Sequence, residues 1–193
     1  MVVHPCKGRE IATEWEASGM DENRQSTVAE EQQVPRTFTF FGCYEHTIDS
    51  KGRLIIPNAY RKPLGDTFTI SVTPDGEGIA LYPEAVFDAM LADLYQLNRL
   101  DESLQKYLAY LGKMSYRYME SDTQGRILIP AKLRQRMLGE AKELEVSGAM
   151  DHVRIVDAVK GNDEDDYFDL NRKDILRNIS KLKADQLARK GEA

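Results

Sequence analysis

Hydrophobic and polar positions along the chain predict short strands, glycine turns and short helices that occur twice in the same order. An aromatic and β-branched run at 38–48 predicts a strand, and a run with two tyrosines at 114–119 predicts another. Each run leads into a glycine turn and a short apolar strand that ends at a proline, where a short helix is expected to begin. A second strand pair follows in each copy, at 67–72 with 79–82 and at 143–146 with 152–156. The pattern therefore predicts an α+β protein that is mainly β.

The repeated order reflects a repeat in the sequence itself. Residues 49–61 return at 122–134, 73 positions further along, with six identities in 13 ungapped positions. The identical pairs are Asp49/Asp122, Gly52/Gly125, Arg53/Arg126, Ile56/Ile129, Pro57/Pro130 and Arg61/Arg134. Such a repeat predicts two tandem β-modules, each with a glycine that takes a positive φ at its turn. In the second module a further turn is expected near Ser147 and Gly148.

Helical segments separate the two modules. Apolar residues at helical spacing follow Pro83 and Glu84, and a second helical segment is expected to end at Gly112. These helices offer more apolar surface than such small modules need. Two interpretations stay open: the helices pack on the barrel, or they form a subunit interface.

The two ends of the chain differ from its middle. Residues 1–36 are polar and mixed in charge, which is typical of a disordered segment. The acidic stretch 162–166 predicts a break before a C-terminal helix that carries Ile175, Ile179 and Leu182. The predicted organisation is an N-terminal extension (1–36), a first module (37–83), a helical connection (84–113), a second module (114–160), and an acidic linker with a C-terminal helix (161–193).

Composition and charge narrow the classes of function. A net charge of −6 over 193 residues opposes DNA binding by the surface as a whole, because DNA affinity comes largely from neutralised phosphates. The windows 49–62 and 122–136 are nevertheless locally basic. No apolar run approaches the ~20 residues of a membrane-spanning helix, and the first 20 residues lack the apolar core of a secretory signal. We therefore expect a cytoplasmic protein without a membrane partner.

Residue types that carry catalysis or bind metals are scattered along the chain. Cys6 and Cys43 lie in different settings, so free thiols are expected. His4, His46 and His152 have no nucleophile or carboxylate partner at a recognisable spacing. No glycine-rich phosphate loop or metal motif occurs. We therefore expect no enzyme activity, catalytic residue, cofactor, metal site or small-molecule substrate.

The repeated Asp-x-x-Gly-Arg turn is the strongest candidate for function. An arginine exposed at a turn offers a planar fork of donors that suits phosphates and guanine edges. The aspartate can hold that arginine or cap the backbone N–H groups of the turn. A single copy would favour a purely structural salt bridge. Two copies, each followed by further basic residues, favour a repeated contact surface.

These motifs resemble those of a known family. Asp-Ser-Lys-Gly-Arg-Leu-Ile-Ile-Pro at 49–57, preceded by Phe-Gly-x-Tyr-Glu-His-Thr-Ile, and Asp-Thr-Gln-Gly-Arg-Ile-Leu-Ile-Pro at 122–130 closely resemble the bacterial MraZ proteins. The resemblance runs from about residue 40 to residue 159. It implies tandem swapped-hairpin β-modules of the AbrB type. It also implies a ring-shaped homo-oligomer that binds direct DNA repeats upstream of the division and cell-wall gene cluster, its own gene included, as a repressor on the nucleoid.

The resemblance also assigns roles by position. Lys51, Arg53 and Arg126 are expected to face double-stranded DNA. Arg61 and Arg134 occupy matched places, where they either contact phosphate or anchor the core. Gly52 and Gly125 are expected to set the turns, and Asp49 and Asp122 to support them. The chain departs from the family at Val156-Asp157, where tryptophan is common, and in residues 1–36, which are either a genuine tail or the product of a start codon chosen too early.

One other class of function stays open beside DNA binding. A protein-interaction module, such as an antitoxin-like β-barrel or a ring scaffold, would keep the repeats but would not need exposed arginines at both turns. Substitution of those arginines discriminates between the two functions.

Overall fold

A computed structural model describes residues 39–191, and these belong to one compact unit. The predicted extension 1–36 therefore lies outside the described residues, with His4 and Cys6. The first half contains β1 (Cys43–Thr47), β2 (Arg53–Ile55), α1 (Asn58–Leu64), β3 (Phe68–Val72) and β4 (Ile79–Pro83). Two helices connect the halves, α2 (Glu84–Tyr95) and α3 (Glu102–Met114). The second half contains β5 (Tyr116–Met119), β6 (Arg126–Leu128), α4 (Ala131–Met137), β7 (Glu143–Gly148) and β8 (Val153–Asp157), and α5 (Ala158–Gly191) follows.

The strands of the two halves are interlaced. A six-stranded sheet has the order β1-β7-β8-β4-β3-β5, and a two-stranded ribbon pairs β2 with β6. The entry strand of each half thus pairs with the other half, β1 with β7 and β5 with β3, all antiparallel. The two repeats exchange strands within one fold, so 37–83 and 114–160 are not two separate domains. The mixed α+β class predicted from the sequence is confirmed.

An approximate two-fold axis relates the halves at the ribbon. Leu54 lies opposite Ile127, its own counterpart in the repeat, so the axis passes between these two residues. The ladder continues past both strands in matching fashion: Ile56 N donates to Gly125 O and Ile129 N to Gly52 O, each at 2.9 Å. The ribbon therefore places the two repeated turns at its opposite ends, where the axis relates them to each other.

The core forms between the sheet, the ribbon and the helices. Leu54 and Ile127 turn inward from the ribbon and are each 1% exposed. The hydroxyl of buried Tyr60 donates to the carbonyl of Gly42 at 2.6 Å, and burial raises the pKa of Tyr60 to about 12. The connecting helices contribute Phe87, Leu104, Leu111 and Met114 to the buried set. α2 and α3 thus pack on the core, which is the first of the two interpretations considered for them.

Three local predictions were wrong. Gly112 lies inside α3 rather than at its end. Ser147 and Gly148 belong to β7 instead of forming a turn, because Gly148 approaches the backbone of Phe40 so closely that a Cβ would overlap it. The acidic stretch 162–166 does not break the chain, since α5 runs through it without interruption.

Asp101 caps α3, and its removal provides a first test of the fold. Its Oδ1 accepts the backbone N–H of Leu104 at 2.9 Å. We expect Asp101→Ala to lower the free energy of unfolding by about 1 kcal/mol, since an N-cap acceptor is lost. Asp101→Ser keeps an acceptor and should retain most of the stability in thermal unfolding. Equal destabilisation by both variants would contradict the capping role.

No helix among residues 39–191 combines the length and the apolar character needed to cross a membrane.

Candidate nucleic-acid interface

The first Asp-x-x-Gly-Arg turn is closed by its aspartate. Asp49 Oδ1 accepts the backbone N–H groups of Lys51 (2.9 Å) and Arg53 (2.8 Å). Its Oδ2 accepts Nε of Arg53 at 2.7 Å, while its carbonyl accepts the N–H of Gly52 at 2.9 Å. One carboxylate therefore both caps the turn and fixes the direction of the arginine side chain.

The second turn repeats this arrangement. Asp122 Oδ1 accepts the backbone N–H groups of Gln124 and Arg126, each at 2.9 Å, and Oδ2 accepts Nε of Arg126 at 2.7 Å. Hydrogen bonds from the arginine backbone are the main cause that lowers the pKa of Asp49 and of Asp122, so both carboxylates are ionised at neutral pH. Each ion pair engages Nε of its arginine.

The repeated glycines combine a positive φ with a close contact to the other half. Gly52 and Gly125 have φ of 81° and 75°, in the left-handed region that other residues avoid. Each also lies under a guanidinium from the other half: a Cβ on Gly52 would overlap Arg134, and a Cβ on Gly125 would overlap Arg61. The Nε of Arg61 donates to the carbonyl of Ile56 at 2.9 Å. Arg61 and Arg134 thus pack crosswise over the two turns.

The ribbon has one buried and one exposed face. Side chains alternate across a strand, so the neighbours of inward-pointing Leu54 and Ile127 point outward. In the ladder Arg53 lies opposite Leu128, and Ile55 lies opposite Arg126. Ile55 is 44% exposed and Leu128 is 55% exposed. The outer face of the ribbon, defined by Arg53, Ile55, Arg126 and Leu128, therefore carries two arginines and two aliphatic side chains in an approximately two-fold arrangement.

Comparison with known proteins assigns the chain to a family. The profile of a family described as "MraZ protein, putative antitoxin-like" matches residues 39–108. A protein of Lachnoclostridium phytofermentans named "Transcriptional regulator MraZ" is 36% identical over 118 residues, which are 60% of this chain and 79% of that protein. A protein of the same name from Lactiplantibacillus plantarum is 36% identical over 116 residues, which are 60% of this chain and 80% of that protein. A third protein of this name, from Neisseria gonorrhoeae, is 30% identical over 148 residues, which are 70% of this chain and 98% of that protein.

The chain belongs to the MraZ family.

In this MraZ-family protein the fold brings every predicted site residue to one region. Asp49 and Asp122 hold the turns, Arg53 and Arg126 lie on the outer face of the ribbon, and exposed Lys51 stands on the first turn. The helices that follow carry further exposed cations, namely Lys62, Lys132 and Arg136, of which Arg136 lies over the ring of Tyr110 on α3. The ionisable residues that the repeat marked as candidates are thus neighbours in space as well as counterparts in sequence.

Two features of the MraZ-family site were not foreseen from the sequence. The crosswise packing of Arg61 and Arg134 depends on pairing between the halves, which no local pattern reveals. The exposed aliphatics Ile55 and Leu128 could have been found, because alternation in Arg-Leu-Ile places the first and third residues on one face. Their position opposite the arginines follows only from the register of β2 with β6.

Metal chemistry finds no support in the described part of this MraZ-family chain. Residues 39–191 contain no group of three or more His, Cys, Asp or Glu side chains placed to hold a metal ion. His46 lies opposite Leu144 in the sheet, and the Nδ1 of buried His152 contacts the Asp151 carboxylate at 2.7 Å. These two histidines belong to different places in the fold, since His46 lies on β1 and His152 directly precedes β8.

Proposed function

We propose that this protein is a sequence-specific DNA-binding transcriptional regulator that presents the outer face of the ribbon to the major groove. The observation that carries the proposal is the matched pair Arg53 and Arg126, each held at Nε by its own aspartate. Relatives 30–36% identical are named transcriptional regulators, which supports a regulatory role and not an enzymatic one.

The geometry of the ribbon supports recognition of base pairs. The major groove admits a two-stranded β-ribbon, and an arginine fork can bond both O6 and N7 of guanine. Because Asp49 and Asp122 engage Nε, the side chains are pre-oriented and their terminal nitrogens stay available to a base. Lys51, exposed on the first turn, contributes a phosphate contact that fixes the position of the duplex without reading sequence.

Arg61 and Arg134 act in this proposal as clamps rather than as base-reading residues. Each guanidinium lies over a glycine of the opposite turn, at half-buried positions. Each clamp therefore holds the turn that presents the reading arginine of the other half. Their positive charge also favours the approach of an anionic duplex.

A ring-shaped homo-oligomer that binds direct repeats completes the proposal. The net charge of −6 makes a single weak contact surface insufficient, whereas several copies acting on repeated boxes gain effective concentration. In the sheet of residues 39–191, β1 and β5 are edge strands with one partner each, and α5 leaves aliphatic side chains such as Leu170 and Leu182 exposed. These surfaces support self-association. Within the same proposal the regulator represses the division and cell-wall gene cluster, including its own gene, in the cytoplasm and on the nucleoid.

A protein-interaction module is the second candidate. The exposed aliphatics of α5 and the two free sheet edges favour it, since such surfaces commonly bind protein. In that case the Asp–Arg pairs would serve only to close their turns.

Titration into labelled DNA from upstream of the protein's own gene tests the proposed function. We expect binding that survives a scrambled competitor and weakens as salt rises, with a log–log slope of about −0.9 per phosphate neutralised. The titration uses protein that is shown to be folded and assembled, and it is carried out at two salt concentrations. Absence of binding under both conditions would reject this DNA target and favour the interaction module.

A further inference from the structure

The outer face of the ribbon exposes aliphatic side chains, although solvent-exposed strand positions usually carry polar residues. Ile55 and Leu128 are 44% and 55% exposed, and each lies opposite an arginine. The hydrophobic core gains nothing from either side chain, because Leu54 and Ile127 supply its contacts from the inner face.

The two aliphatics are placed alike in the two halves. Isolated apolar residues on a surface need no explanation. These two, however, stand two positions after the repeated arginine in both copies, and the ribbon axis relates them to each other. The same arginine–aliphatic combination therefore occurs twice on one face, which calls for a partner that is both anionic and apolar at defined points.

The thymine edge provides such a partner. Thymine presents a C5 methyl group in the major groove, and apolar side chains recognise it, while guanine accepts the arginine fork. Directly opposite residues of an antiparallel pair have Cβ atoms about 4.5–5.5 Å apart, and stacked bases are separated by about 3.4 Å along a strand. An arginine and the aliphatic residue facing it are thus spaced to reach bases one or two steps apart.

We propose that Ile55 and Leu128 are specificity-determining residues that contact thymine methyl groups beside the guanines read by Arg126 and Arg53. This inference rests on the proposed DNA binding. The two aliphatic–arginine pairs recognise matching steps on the two sides of the ribbon axis, so each bound box contains thymine within about two steps of guanine at both places.

Replacement of thymine by uracil tests the inference, because it removes the methyl group and leaves every hydrogen-bonding group of the base. Anisotropy titrations compare the upstream duplex with duplexes in which single thymines are uracil. For the unchanged protein we expect uracil at a contacted position to weaken binding about four-fold, the effect of losing one buried methyl group. Ile55→Ala and Leu128→Ala should each bind the thymine duplex more weakly than the unchanged protein does. At the position that the replaced side chain contacts, each variant should bind the thymine and uracil duplexes about equally.

Leu97→Ala is the matched control. Leu97 is 55% exposed in the connection between α2 and α3, so its substitution removes a comparably exposed aliphatic side chain outside both the ribbon and α5. It should keep the full preference for thymine. Circular dichroism and sedimentation confirm that each variant is folded and assembled.

The outcomes separate this inference from the function on which it rests. If the unchanged protein does not bind the thymine duplex, DNA binding at this site fails and the inference fails with it. If the protein binds but no uracil substitution weakens binding, the protein recognises DNA without methyl contacts, and the inference alone is overturned. A preference for thymine that persists in both alanine variants would likewise overturn it.

Discussion

Gly52→Ala should lower the free energy of unfolding by about 1–3 kcal/mol, one of the two largest effects we expect. A positive φ strains any residue that carries a Cβ, and this strain is the main cost. The added Cβ would also displace the guanidinium of Arg134, which is the end of a flexible side chain and can move at small cost. Urea unfolding measures the loss of stability.

Gly76 offers a control that separates the two costs. Its φ of 75° is close to the 81° of Gly52, but a Cβ on Gly76 would meet nothing within 4 Å. Gly76→Ala should therefore cost only the backbone strain, about 1 kcal/mol. In an Arg134→Ala background the additional cost of Gly52→Ala should fall to that of Gly76→Ala, because the overlapping group has gone. The difference between Gly52→Ala and Gly76→Ala should be small, because the end of the Arg134 side chain can move aside. If Gly52→Ala left the free energy of unfolding unchanged, the turn would not need a positive φ.

The sequence predicted the local chemistry of the site well because that chemistry is contained in a few consecutive residues. Asp49 reaches backbone groups only two and four positions away. Gly52 needs its conformation within the same turn, and Pro57 ends the ribbon strand in the next few residues. Each of these requirements is satisfied by neighbours in the chain, so the pattern of residue types is sufficient to reveal it.

The exchange of strands between halves could not be predicted in the same way. The side chains of β1 are mostly exposed, so they supply no local signal that distinguishes β7 from β3 as the partner strand. The contact of Arg134 with Gly52 follows only after the ribbon has formed. The candidate residues were therefore identifiable one by one, while their arrangement on a single face was not.

The continuous helix α5 shows a different limit. The acidic stretch 162–166 was interpreted as a break on composition alone. It lies beyond the first turn of α5, and that first turn contains no acidic residue. Glu164 pairs with Arg154 of β8 at 2.7 Å, and Lys160 pairs with Glu77 at 2.8 Å, so the start of the helix is tied to the sheet. The local composition of residues 162–166 was misleading because ion pairs with residues outside this stretch stabilise the start of the helix.

The other large effect is the loss of DNA binding in the double variant Arg53→Ala/Arg126→Ala. Each bidentate arginine–guanine contact contributes about 1–3 kcal/mol of discrimination, so removing both should weaken binding to the upstream DNA about 30-fold or more. Binding to scrambled DNA should change far less, because phosphate contacts remain. Anisotropy titration with both duplexes measures the ratio of the two affinities.

Two controls allow this result to distinguish DNA binding from a protein-interaction module: a charge-matched variant and a measurement of assembly. The double variant Arg172→Ala/Arg177→Ala removes the same two positive charges from exposed positions of α5 and should leave the affinity ratio unchanged. Sedimentation shows whether the double variant keeps the assembly of the unchanged protein. Loss of specific binding with an intact assembly assigns recognition to the outer face of the ribbon. Retained specific binding would mean that Asp49 and Asp122 hold these arginines only to close their turns, and the interaction module would become the better account of the repeat.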